Sequence, residues 1–194
     1  MAEKPIVHCA DAEEWRRWLA ANAGESDGIR LAIAKKGGAH PSVSYADAVE
    51  EALCVGWIDG QIGALDENYY LQGFGPRRPK SIWSVTNRER AIALIEAGRM
   101  QPAGLAAVEH AKADGRWDAA YHGARTIEVP PELRAALDAE PAAAAFFETL
   151  NGQNRYAILF RLGNVKKTET KTRKIAEYVA MLARGETIYP QKPN

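Results

Sequence analysis

The chain has 194 residues, with 25 Lys plus Arg against 25 Asp plus Glu, and this balance excludes a protein whose whole surface traps polyanions while leaving room for a local basic patch. The length fits one medium domain, or a compact domain with a helical appendage, and buries roughly 70% of the unfolded surface, so neither a metal nor a disulfide is needed to hold a core. Cys9 and Cys54 lack metal-ligand spacing and read as reduced thiols, the opening MAEKPIVHCADAEEW has no secretory apolar run, and no stretch approaches the ~20 apolar residues of a bilayer span. The location expected from these signals is cytoplasmic, without membrane insertion.

ADAEEWRRWLAANAGES predicts a first helix, with Asp11 and Glu14 as a capping box and Trp15, Trp18, Leu19 and Ala23 as one stripe. IRLAIAKKG predicts a strand with Ile29, Leu31 and Ile33 on one face, ended by Gly37 and Gly38. SYADAVEEALCVG predicts a second helix capped by Ser44 and Asp47, with Tyr45, Val49 and Leu53 facing inward and Gly56 as its stop. WIDGQIGALDENYYLQGFG then predicts a β-hairpin turning at Asp66, Glu67 and Asn68. Ser84 caps another helix that stops at Gly98, and Pro102 opens one that runs to about Asp114.

GARTIEVPPE reads as linker with room for one short strand. From Pro130 the chain reads as helical, with Pro131 and Pro141 in first turns. Phe146, Phe147 and Leu150, then Tyr156, Leu159, Phe160 and Leu162, then Ile175, Tyr178, Val179 and Leu182 supply apolar spacing before Gly185. The fold class expected is α+β: a small mixed or antiparallel sheet with packed helices over 1–120, and a helical segment packed on it over 121–194. The chain contains no Gly-x-Gly-x-x-Gly turn, P-loop or Gly-x-Ser-x-Gly elbow, and His8, His40, His110 and His122 are scattered. No cofactor or metal is expected.

Strand alternation puts Trp57, Asp59 and Gln61 on one hairpin face, with Ile58 and Ile62 on a core face. A turn centred near Asp66 and Glu67 sets Asp59 opposite Phe74 and Trp57 opposite Pro76. The start of GWIDG and the exit GPRRPKS then share the open end of the hairpin, where Trp57, Asp59, Arg77 and Arg78 converge. Ser81, Trp83, Ser84 and Asn87 lead into a helix whose first-turn N–H groups favour an anion. The same residues fit a structural reading, in which Asp59 pairs with Arg77 or Arg78 to lock the hairpin and Ser84 only caps its helix. If there is chemistry, Asp59 is the acid/base candidate, with the arginines orienting an anion.

Three segments, EALCVGWIDGQIGALDENYYLQGFGPRRPKSIWSVTNRER, LIEAGRMQPAGLAAVEHAKADGRW and KKTETKTRKIAEYVAMLARGE, resemble the YdeI/OmpD-associated family, whose members carry the label of bacteriocin protection. The resemblance implies a small cytosolic α+β protein with a YdhG-like domain and a helical C-terminal part, connected with protection against bacteriocins or cationic peptides and with a porin. It marks Trp57, Asp59, Gly60, Arg77, Arg78, Ser81, Trp83, Ser84 and Asn87 as the residues to test. Where the family reads RFTPRRP this chain reads GFGPRRP, with Gly73 and Gly75 in place of a basic residue and a hydroxyl.

The expected function is that of a stress- or resistance-associated protein binding a small anionic or amphipathic molecule at the Trp/Asp/Arg site. The alternatives are nucleic-acid binding, through basic runs 77–90 and 166–174 with Tyr69, Tyr70 and Phe74 stacking bases, and a partner-binding module without catalysis.

Overall fold

The computed structural model describes residues 4–37 and 40–192; the expectation for Gly38 lies outside them. The chain divides into two compact units, residues 1–120 and 121–194. The first holds β1 (Ile6–His8), α1 (Ala12–Asn22), β2 (Ile29–Ala34), α2 (Tyr45–Cys54), β3 (Trp57–Ala64), β4 (Tyr69–Pro76), α3 (Val85–Glu96) and α4 (Pro102–Ala113). The second holds α5 (Pro131–Asp138), α6 (Pro141–Glu148), α7 (Gly152–Gly163) and α8 (Thr168–Ala183). The fold is α+β with a helical C-terminal part. Among the described residues no helix is long and apolar enough to cross a membrane.

Local chemistry sets the helix starts. The Asp11 carboxylate accepts the Glu14 N–H at 2.8 Å, and Glu14 reaches back to the Ala10 N–H at 2.7 Å. Ser44 and Ser84 accept from the N–H groups of Asp47 and Asn87 in the same way. Gly56 ends α2 at φ 77°, a left-handed conformation that a Cβ makes costly.

The sheet is mixed, in the order β1-β2-β4-β3, with β1 parallel to β2 and the other pairs antiparallel. Strand β1 was not foreseen: three residues are too few to show alternation, and it is fixed by tertiary pairing with Arg30, Leu31 and Ala32. The expected short strand within residues 123–132 does not form: residues 123–130 are turn and loop, and α5 begins at Pro131.

Hairpin register follows the arithmetic, with Trp57 opposite Pro76 and Asp59 opposite Phe74. The facing of β3 does not. Trp57 is 1% exposed in the core, while Ile62 on the sheet edge is 69% exposed. Helix α1 covers the Trp57 side: the Trp57 Nε1–H donates to the Ala23 carbonyl at 3.3 Å, and its ring meets Trp18 edge-on. Between the pairs Asp59–Phe74 and Ile62–Gln72, β3 advances three residues against two on β4, a bulge that ends simple alternation. Buried Gln72 satisfies the bulge by donating to the Gly60 carbonyl at 2.7 Å.

Trp15, Leu19, Ile29, Leu31, Leu53, Trp57, Phe74 and Trp83 anchor the core of the first unit. Tyr45, expected inside, is instead 40% exposed, because it stands at the first turn of α2 with its hydroxyl turned to Asp59. The second unit closes around Leu133, Leu137, Phe147, Ile158, Leu162 and Leu182, whereas Phe146, Tyr156 and Phe160 are only half-buried. Buried Asn154 ties the tail to α7, accepting from the Tyr189 N–H and donating to the Tyr189 carbonyl.

Candidate functional site

The corner after β4 is fastened by backbone bonds before any side chain acts. The Arg77 N–H donates to the Gly56 carbonyl at 3.1 Å, which brings the arginine corner beside the entrance to β3. Ser81 Oγ accepts the Arg78 N–H at 3.1 Å, and the Ser81 N–H donates to the Arg78 carbonyl. Arg116, in the loop after α4, donates through Nη1 to the Ser81 carbonyl at 2.7 Å and through Nε to both Asp114 oxygens.

Arg77 sits over Trp83, its guanidinium carbon 3.6 Å from the ring centroid, and Trp83 in turn meets Trp117 edge-on at 4.9 Å. Trp83 is therefore a buried floor under Arg77 rather than a wall open to a ligand. Its burial reflects the area an indole removes from water, about 25 cal/mol per Å² of apolar surface.

A groove of about 650 Å³ opens here, lined on one side by Trp57, Arg77 and Arg78 and on the other by Ala106, His110 and Arg116. The strand entrance and the arginine corner thus meet in one groove. Asp59 does not line it. Its carboxylate accepts the Tyr45 hydroxyl at 2.8 Å, and burial first, then this bond, pushes the Tyr45 phenol above its ordinary value.

Gln61 is exposed on the bulge, with its carbonyl taking the Arg30 guanidinium at 3.1 Å. Ser84 and Asn87 are half-buried in the cap of α3, and the Asn87 side chain accepts from Arg90 at 3.3 Å. The partner found at the Asp59 carboxylate is the Tyr45 hydroxyl.

A second concavity, of about 680 Å³, is lined by Leu19, Ala20 and Cys54 with Arg16, Glu51 and Arg99 at its polar side. It shares Ala23, Val55 and Ala103 with the groove. The Glu51 carboxylate is held by Arg16 at 2.7 and 2.9 Å and by Arg99 at 2.6 Å.

Sequence reasoning passed over the α4 half of the site. Ala103, Ala106, Ala107, His110 and Ala113 follow helical spacing, but small residues give a weak periodic signal. Glu51 was legible as a charge among the buried Ala48, Val49, Ala52 and Leu53. Among the described residues no group of three His, Cys, Asp or Glu could hold a metal ion. In the second unit, Lys171 pairs with Glu132 and Arg173 with Glu177, so part of the second basic run is neutralised locally.

Residues 7–107 match a family described as Domain of unknown function (DUF8412). Residues 126–185 match the family described as Bacteriocin-protection, YdeI or OmpD-Associated. The likeness to this second family therefore rests on the helical segment, while the hairpin and the PRRPKS corner fall within the first match. No curated protein and no solved structure matches the chain.

Proposed function

The chain belongs to the DUF8412 family, matched over more than half its length, and from that premise we propose that it binds a small anionic or amphipathic molecule in the groove between the β4 corner and α4. The observation that carries the reading is the meeting of Trp57, Arg77, Arg78 and Arg116 on one groove. Among the described residues that line it, Asp114 is the one carboxylate, and Arg116 engages it, while Arg78 is exposed. Arginine forks suit carboxylate, phosphate or sulfate, and the alanine face of α4 offers an apolar surface beside them.

Asp59 lies outside the groove residues, so the role is binding without an acid–base step at Asp59. The service is a protective one, in keeping with the description of the family that residues 126–185 match.

Thermal-shift screening of anionic metabolites and amphiphiles against wild type and Arg78→Ala tests the reading. Arg78 is exposed, so its truncation leaves the fold intact. A ligand at a hundredfold excess over Kd stabilises by about 2.7 kcal/mol, about 5–10 °C for a chain of this length. Wild type is expected to shift and Arg78→Ala to shift much less. Equal shifts for both proteins, or none with any anion, would count against the groove.

A further inference from the structure

We infer that the concavity between α1, the end of α2 and the start of α4 is a binding site in its own right, and that it takes an uncharged, largely apolar small molecule. The inference stands apart from the arginine groove and does not depend on it.

Shape is the first observation. The space, of about 680 Å³, falls in the range of small-molecule sites, and most of its wall is apolar: Leu19 and Ala20 from α1, Cys54 and Val55 at the end of α2, and Ala103. The start of α4 is fastened against α2 there, since the Gln101 N–H donates to the Cys54 carbonyl at 2.9 Å and a Cβ at position 104 would overlap that same oxygen. Gly24 borders the space without a side chain, and a Cβ on it would have no atom within 4 Å.

The polar wall is fixed in advance. Arg16 forks onto Glu51 through Nε at 2.9 Å and Nη2 at 2.7 Å. Arg99 reaches Glu51 through Nη2 at 2.6 Å and Glu50 through Nη1 at 3.0 Å. Long side chains that could fold across the space are thereby held at its edge, so little ordering remains to be done when a ligand enters.

Charge decides the class of ligand. Two guanidinium groups face two carboxylates, and each is engaged by the other kind. An anion would have to compete with Glu50 and Glu51 for the arginines, and a cation would have to draw a carboxylate away from them. Either ion would lose hydration without gaining an uncommitted partner, whereas a neutral apolar body gives up little and covers the alanines and leucine.

Isothermal titration of the full chain with 2-naphthol, 2-naphthoate and 2-naphthylmethylammonium, three probes of one shape and three charges, tests the assignment. Naphthol is expected to bind saturably, and roughly tenfold or more tighter at this site than either ion. Ala20→Trp and Gly24→Leu place bulk at residues that line this concavity and not the groove. Ala20 is exposed on α1 and Gly24 has open space about it, so the two variants keep the fold by independent routes. Each is expected to weaken naphthol roughly tenfold, and Arg78→Ala to leave it unchanged.

Absence of saturable naphthol binding overturns the inference, as does naphthol binding that both filling variants leave intact. An ion that binds as tightly as naphthol and is weakened equally by Ala20→Trp overturns the neutral class. Naphthol binding lost in Arg78→Ala but kept in the filling variants places the molecule in the groove; it overturns the second site while the groove stands.

Discussion

Glu51 presents 4% of its side chain to solvent, on a helix face otherwise filled by Ala48, Val49, Ala52 and Leu53. Burial alone would raise its carboxyl, but hydrogen bonds and charge from Arg16, then Arg99, outweigh burial and hold it below its ordinary 4.5. Removing one partner of a buried pair costs about 3–5 kcal/mol, but both arginines here keep water contact, so Glu51→Gln is expected to cost about 1–3 kcal/mol in urea unfolding. A lowered folded-state value means that this stabilisation is complete above the unfolded carboxyl's titration and is lost as pH falls through the folded one. Wild type should therefore lose stability on acidification below about pH 4.5 more steeply than Glu51→Gln; parallel acid slopes would contradict the assignment. The thiols give a second check at this scale. Burial, then Glu14 and Asp11, push Cys9 up to about 11, and burial, then Glu51, raises Cys54. Native protein at neutral pH is expected to react with a thiol reagent far more slowly than urea-unfolded protein.

Helix α4 approaches α2 closely because position 104 has no side chain. A Cβ there would overlap the Cys54 carbonyl oxygen and come within 2.8 Å of the Met100 methyl. Gly104→Ala is accordingly expected to push α4 outward, costing about 1–3 kcal/mol, and to weaken ligand binding, because α4 forms one bank of the groove; unchanged stability in urea unfolding would contradict the close approach. Elements were readable wherever a short-range signal existed: Asp11, Ser44 and Ser84 fixed helix starts, and the Asp66 turn fixed the Trp57–Pro76 register. What escaped depended on contacts distant in sequence. Pairing with β2 makes β1 a strand, the bulge after Asp59 turns Gln61 away from Trp57, and the edge position of β3 leaves Ile62 in solvent. Half of the groove was legible in the PRRPKS corner, but its opposite bank comes from α4 and Arg116, whose small and isolated polar residues carry no motif.

Each unit of the molecule encloses its own core, one anchored by five tryptophans and sheet residues, the other by helix residues from Leu133 to Leu182. Phe147, fully buried in the second unit, is expected to cost about 3–5 kcal/mol on truncation to alanine. Amide hydrogen exchange in α5 to α8 should then accelerate, and undisturbed protection there would contradict that packing. The account as a whole depends on the groove, where the two motifs from β3 and the β4 corner meet α4. Trp57 lines it with its indole edge donating to Ala23, while Trp15 is sealed in the core with its own N–H on the Ala48 carbonyl at 3.1 Å. The most direct measurement is the NMR shift of the indole N–H signals as decanoate is titrated into the protein. The account predicts that the Trp57 signal moves in a saturable way while that of Trp15 stays fixed, and that Arg78→Ala moves the midpoint to higher concentration. Saturable binding that leaves the Trp57 signal in place would contradict it.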